Sequence, residues 1–102
     1  MIQKLSILIP AYNEEHTISL LIEKVFNVSL VTIKKEIIIV NDASTDNTKD
    51  ILDDLSQKYN LVVIHHEKNQ GKGKAIQSAL QKATGDFVLS LIHISEPTRL
   101  GM

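Results

Sequence analysis

An α/β fold built on a parallel sheet is predicted by three observations. Apolar, β-rich runs alternate with stretches of helical apolar spacing along the chain. One run, Ile37-Ile38-Ile39-Val40, is apolar and β-branched at every position, the pattern of a strand covered on both faces. The chain then turns abruptly polar at Asn41-Asp42. In open α/β sheets the carboxyl end of a strand is where ligands bind.

Taken in order, Leu5-Ser6-Ile7-Leu8-Ile9 forms a first strand that Pro10 stops. Pro10-Ala11-Tyr12-Asn13 is the turn leaving it. Asn13 is the expected N-cap of the first helix, and Glu14 and Glu15 add negative charge where the helix dipole favours it. Ile18, Leu21, Ile22, Val25 and Phe26 recur on one face of that helix. Asn27 to Lys35 connects it to the organising stretch, Glu36 to Asp42. Ser44 or Thr45 is expected to cap the second helix, with Asp46 and Asp50 in its first turns and Ile51, Leu52, Leu55 and Tyr59 facing inward. Leu61 to His65 is a third strand, followed by a polar loop from His66 to Gly73. Ala75, Ile76, Ala79, Leu80 and Ala83 make a third buried face, its small residues suited to close packing on a sheet. Gly85-Asp86 breaks this helix, and Phe87-Val88-Leu89 opens a fourth strand. Such alternation predicts parallel strands joined by right-handed crossovers, with helices on both faces. A switch point between the first and fourth strands gives the strand order 3-2-1-4.

The chain has 102 residues, enough for one small domain, and 43% are hydrophobic, enough for a core. Eleven basic and twelve acidic residues leave a net charge of −1, which offers no electrostatic grip on nucleic acid. Cysteine is absent, which excludes disulfides and thiolate metal sites. The start, Met1-Ile2-Gln3-Lys4, lacks a signal-peptide pattern, and no apolar run reaches membrane-spanning length. These features predict a soluble, cytoplasmic polypeptide.

The common phosphate cradles are missing. A dinucleotide turn needs glycines after the first strand, and Pro10 to Glu15 contains none. Gly71-Lys72-Gly73-Lys74 lacks P-loop spacing and follows the wrong strand. Two readings fit Tyr12 and Glu14: a ring contact and a ribose hydrogen bond holding a nucleoside, or packing and helix-dipole complementation. Asp42 likewise fits a nucleotide contact or an ordinary turn former. A calcium loop is discarded, because Asn47 and Asp53 stand where glycine and glutamate are needed. His65-His66-Glu67 reads as plain polar residues, since neighbours on a strand point to opposite faces. Lys72 and Lys74 fit either a phosphate contact or a solvated helix start.

Four stretches together say more. Ser6-Ile7-Leu8-Ile9-Pro10-Ala11-Tyr12-Asn13-Glu14-Glu15, Ile39-Val40-Asn41-Asp42-Ala43-Ser44-Thr45-Asp46-Asn47-Thr48, Asn69-Gln70-Gly71-Lys72-Gly73-Lys74-Ala75 and Ala83-Thr84-Gly85-Asp86-Phe87 closely resemble glycosyltransferase family 2, in that family's order. The likeness runs from Lys4 to about Val88 and is nearest to polyprenyl-phosphate (dolichyl-phosphate-like) mannosyl- and glucosyltransferases. It implies the Rossmann-like nucleotide-binding half of a GT-A fold, and transfer of sugar from a nucleotide diphosphate donor with inversion. By that resemblance Pro10, Tyr12 and Glu14 line the nucleoside pocket, Asp42 contacts base or ribose, and Lys72 lies near the donor. Asn41 occupies a position where many relatives carry a second aspartate. The acceptor implied is a polyprenyl phosphate, met at the cytoplasmic face of a membrane.

The departure follows the fourth strand's start. The family places an Asp-x-Asp motif there, whose acids hold Mg²⁺ or Mn²⁺ against the leaving diphosphate. Here no aspartate follows Asp86. No metal ligands and no catalytic base are therefore assigned. Leu89 to Arg99 resembles the in-frame translation of a transposase adapter used in sequencing libraries. Residues 1–88 are read as the amino-terminal part of a truncated GT-A domain and 89–102 as a non-native tail, with a divergent natural terminus as the alternative. Two rival functions are a nucleotidyltransferase, which lacks its Gly-rich basic loop here, and a small non-catalytic α/β binding or interaction domain.

Overall fold

The structure, a computed structural model, describes residues 3–28 and 33–91. Its elements are β1 (Gln3–Ala11), α1 (Ile18–Asn27), β2 (Ile33–Asn41), α2 (Thr48–Lys58), β3 (Leu61–His65), α3 (Lys72–Lys82) and β4 (Phe87–Ser90). The four strands form one parallel sheet in the order β3-β2-β1-β4, as the alternation predicted.

The apolar run of β2 explains the layering. Ile37 and Ile39 point to one face, into a core with Ile7, Ile9 and Ala11 of β1, Ile18 and Ile22 of α1, and Leu52 and Leu55 of α2. Ile38 and Val40 point to the other, against Leu8, Ala75 and Ala79. The alanines let α3 approach the sheet closely. Helices thus cover both faces, two on one side and one on the other. Two predicted inward residues are instead exposed: Leu80 of α3 and Phe26 of α1. The Phe26 ring lies 4.6 Å from that of Tyr59, so the two cover each other at the rim of the core.

Both central strands are longer than the sequence predicts. Strand β1 runs through Pro10, which pairs with Val40. Pro10 lies on the same side of the ladder as Leu8, whose carbonyl accepts from the Leu91 N–H, and strand pairing with β4 ends at Leu8. The proline nitrogen therefore faces a stretch with no ladder bond to lose. Strand β2 starts at Ile33, earlier than expected, and the Lys35 ammonium turns back to the carbonyls of Val25, Phe26 and Val28 at the end of α1. Part of the predicted connection, residues 29–32, and the segment 92–102 lie outside the described residues. Leu89 and Ser90 continue β4 in register with Ile7 and Leu8.

A polar clasp closes the amino end of the sheet. The Glu36 carboxylate accepts from the Ser6 hydroxyl at 2.6 Å, the Thr84 N–H at 2.8 Å and the Thr84 hydroxyl at 2.9 Å, and pairs with the Lys4 ammonium at 3.4 Å. Burial pushes the Glu36 carboxyl up, but these donors outweigh it and hold its pKa at about 2. Gly85 N–H donates to Ser6 Oγ, and the Asp86 carboxylate accepts from Lys4 N–H. A Cβ on Gly85 would stand 2.6 Å from Ser6 Oγ and 2.8 Å from the Lys4 carbonyl, so only glycine fits.

Candidate functional site

At the opposite, carboxyl end, three turns leave β1, β2 and β3. Each contains one residue with left-handed backbone: Asn13 at φ 52°, Ala43 at φ 60° and Gly71 at φ 92°. For Asn13 and Ala43 that conformation carries a cost, met by the contacts around it.

The first two turns are laced together. Asn13 is not a helix cap. Its Oδ1 accepts from the Thr45 N–H at 2.7 Å and the Asp46 N–H at 3.3 Å, while its own N–H donates to Ser44 Oγ at 2.9 Å. Helix α1 begins later, with Thr17 at the N-cap. Ser44 and Thr45 do not cap α2 either, because they are spent on this brace; Asn47 holds the N-cap. The Asp46 carboxylate accepts from the N–H and hydroxyl of Thr48 and from the Glu15 N–H. Thr48 Oγ in turn accepts from Glu14 N–H at 2.8 Å, and Glu15 Oε1 from Asn47 N–H at 3.0 Å. Burial raises the Asp46 carboxyl, yet the Thr48 and Glu15 donors bring it below its ordinary range.

Asp42 stands just past β2, as expected, and its N–H donates to the Ala11 carbonyl at 2.8 Å, beside Tyr12. Its side chain turns toward the third turn. Oδ1 accepts from His66 Nδ1 at 2.8 Å and Gln70 N–H at 2.9 Å, and Oδ2 from Gly71 N–H at 2.8 Å. Burial pushes this carboxyl up, and the bonds from His66, Gln70 and Gly71 together hold it lower than usual. Of roughly four acceptor positions on a carboxylate, one on Oδ2 has no partner among the described residues. In sequence His66 reads as a plain polar residue, whereas here it holds Asp42; the two histidines diverge as predicted. The neighbouring His65 faces away, its Nδ1 taking the Asn41 amide at 3.0 Å and its Nε2 donating to Asp53 at 3.0 Å.

The five site residues expected from the sequence are placed as follows. Pro10 is buried in β1, and Tyr12 is 45% exposed on the first turn. Glu14 is half-buried, with Oε1 accepting from Thr17 Oγ1 at 2.9 Å. Asp42 is buried, and Lys72 is exposed at the first position of α3, next to the Gly71 amide on Asp42. The turns are brought together, but no described hydrogen bond joins Glu14 to Asp42.

The residues at the carboxyl end of β4 do not fit Mg²⁺ or Mn²⁺. Leu89, Ser90 and Leu91 offer no carboxylate, and Asp86 sits at the other end of the strand, bonded to Lys4. Among the described residues, no group of three or more potential ligand side chains converges.

A family model described as Glycosyl transferase family 2 matches residues 6–91. The chain is 40% identical over 89 residues to the Probable glycosyltransferase YdaM of Bacillus subtilis (strain 168), which covers 83% of this chain and 21% of that protein. It is 35% identical over 94 residues to the Dolichyl-phosphate beta-glucosyltransferase ALG5A of Trichomonas vaginalis, covering 85% of this chain and 29% of that one. In fold it resembles S. aureus TarS 1-349 in complex with UDP-GlcNAc, with a TM-score of 0.72 and 36% identity over 87% of this chain and 26% of that one. The chain thus spans under a third of the length of these relatives.

Proposed function

The chain belongs to glycosyltransferase family 2, and from that premise we propose that it is the nucleotide-sugar-binding part of a longer transferase. The observation that carries this reading is the lacing of the Asn13–Glu15 and Ser44–Thr48 turns at the carboxyl ends of β1 and β2. That lacing lies beside the β1–β4 boundary, where the strand order reverses and α/β sheets open a crevice for ligands. The likeness to a protein that binds UDP-GlcNAc points to a nucleoside diphosphate sugar as the donor.

In this reading Tyr12 and Pro10 flank the nucleoside, and Glu14 takes a ribose hydroxyl. The open Oδ2 position of Asp42 accepts from base or ribose, and Lys72 faces the diphosphate. The longer protein transfers the sugar with inversion. Its acceptor is a polyprenyl phosphate at the cytoplasmic face of a membrane, a choice supported by the likeness to a dolichyl-phosphate glucosyltransferase. Among the described residues no helix is long and apolar enough to cross a membrane. The Mg²⁺ or Mn²⁺ requirement belongs to that longer protein, through acids outside this chain. Residues 1–88 are its native portion and 89–102 a foreign tail, which sequencing of the flanking DNA would test. The 102-residue chain by itself binds donor but does not transfer.

Calorimetric titration with UDP and UDP-GlcNAc tests the reading. Binding without sugar release is the expected result. Asp42→Ala then loses about ten- to a hundredfold in affinity, as expected for a charge-assisted bond, and Asp46→Ala loses less. Absence of binding would favour the small interaction domain instead. An equal or larger loss in Asp46→Ala would remove Asp42 from the site.

A further inference from the structure

We propose that His66 is a positioning residue: its imidazole fixes the Asp42 carboxylate and thereby docks the Gln70 and Gly71 amides that open α3 at the rim. Its bearing on donor binding rests on the function proposed above.

His66 follows the last residue of β3, and its side chain is only 8% exposed. Its N–H donates to the Asn41 carbonyl at 2.9 Å, which extends the strand pairing by one step. Both ring nitrogens are engaged, Nδ1 with Asp42 Oδ1 at 2.8 Å and Nε2 with Ser78 Oγ at 2.8 Å. An imidazole held at both ends has one orientation. The carboxylate torsion of an aspartate is broad when unconstrained, and here the imidazole pins it by Oδ1, the oxygen it shares with the Gln70 amide. Oδ1 and Oδ2 then meet Gln70 N–H at 2.9 Å and Gly71 N–H at 2.8 Å. Gly71 supplies the left-handed turn at φ 92° that lets these consecutive amides converge, and Lys72 begins the helix immediately after. Asn69 adds a bond from Nδ2 to the Asp42 carbonyl. The whole β3–α3 turn is thus gathered on one carboxylate, whose direction the histidine sets.

Asp42, His66 and Ser78 are connected as in a hydrolytic triad, but Ser78 lies within α3. The N–H groups of a helix interior are committed to carbonyls one turn back, so no oxyanion site adjoins it. The arrangement orients; it does not attack.

The test uses His66→Ala, His66→Asn and His66→Gln in the whole chain. Amide hydrogen exchange at Gln70 and Gly71 is followed by NMR, beside melting temperature and UDP titration. The Asn amide nitrogen falls near the place of Nδ1, whereas that of Gln falls near Nε2. In His66→Ala, exchange at Gln70 and Gly71 rises about tenfold and UDP affinity falls about tenfold. His66→Asn restores both and His66→Gln restores neither, whatever their melting temperatures. Should His66→Ala fail to fold, the Asn–Gln contrast decides alone. Unchanged exchange in His66→Ala, or equal behaviour of Asn and Gln, overturns the proposal. A wild-type chain that binds no UDP overturns the nucleotide reading instead, and the exchange measurement still decides the role of His66.

Discussion

The two ends of the sheet are built from similar materials and do opposite things. At the amino end Glu36 gathers Ser6, Thr84 and Lys4 into a closed cluster, with Gly85 pressed against β1 and normal backbone throughout. At the carboxyl end Asp42 and Asp46 gather loop amides, and each of the three turns contains a left-handed residue. One end spends its polar groups on joining strands. The other spends them on holding turns in conformations that strands and helices do not require. Strain at the end proposed to meet a ligand, and none among the described residues of the far end, distinguishes a candidate site from a clasp. The Ala83–Phe87 stretch, as prominent in the family resemblance as Asn41–Thr48, therefore has a mechanical role here.

The largest effect that sharpens this contrast is expected from Gly85→Ala. The added carbon meets backbone at 2.8 Å and 2.9 Å, which cannot be relieved by a side-chain rotation. Stability should fall by about 3 kcal/mol and the melting temperature by roughly 10 °C or more, read by calorimetric or spectroscopic unfolding. UDP affinity of the folded fraction should be unchanged. Lost affinity at an unchanged melting temperature would break the comparison.

Acid is the next lever. The Glu36 pKa is lowered from 4.5 to about 2, so its contribution is fully present above pH 4.5 and is lost as the pH falls toward 2. It amounts to at most about 3 kcal/mol. Asp42 and Asp46, also held low, weaken the rim in acid too. Denaturant unfolding of Glu36→Gln beside the wild type isolates the clasp: the variant is less stable at neutral pH and the two curves converge in acid. Curves that stay parallel down to that range would show that the cluster contributes nothing.

The smallest effect has the opposite sign. Ala43 holds φ 60° without being glycine. Ala43→Gly should stabilise the chain by about 1 kcal/mol and raise the melting temperature by roughly 5 °C. A destabilised variant would mean that the turn is not strained.

Where local chemistry decides, the sequence was legible. The β-branched run of Ile37–Val40, the helical spacing around Ile22, Leu52 and Ala79, and the alternation of elements lead directly to the layers and strand order. What was not legible depends on partners distant in sequence. Asn13 and Ser44 look like helix caps, and each is claimed by the other's turn, some thirty residues away. Pro10 looks like a strand stop until β4 is known to end its pairing at Leu8. The position of Asp42 was readable but its direction was not, because that depends on His66 and the Gln70–Gly71 amides.

The divergence of His65 and His66 also bears on the alignment of an edge strand. Leu61-Val62-Val63-Ile64 is apolar at every position, so sliding β3 by one residue along β2 would still present apolar groups to both helical layers. Hydrophobicity alone specifies such a strand weakly. A slip in either direction would seat one imidazole in the other's place and leave the second site to Ile64 or Glu67, so either Asp42 or the Asn41–Asp53 pair would lose its histidine. A pair of polar residues at the strand's end acts as the key that admits one register and rejects its neighbours.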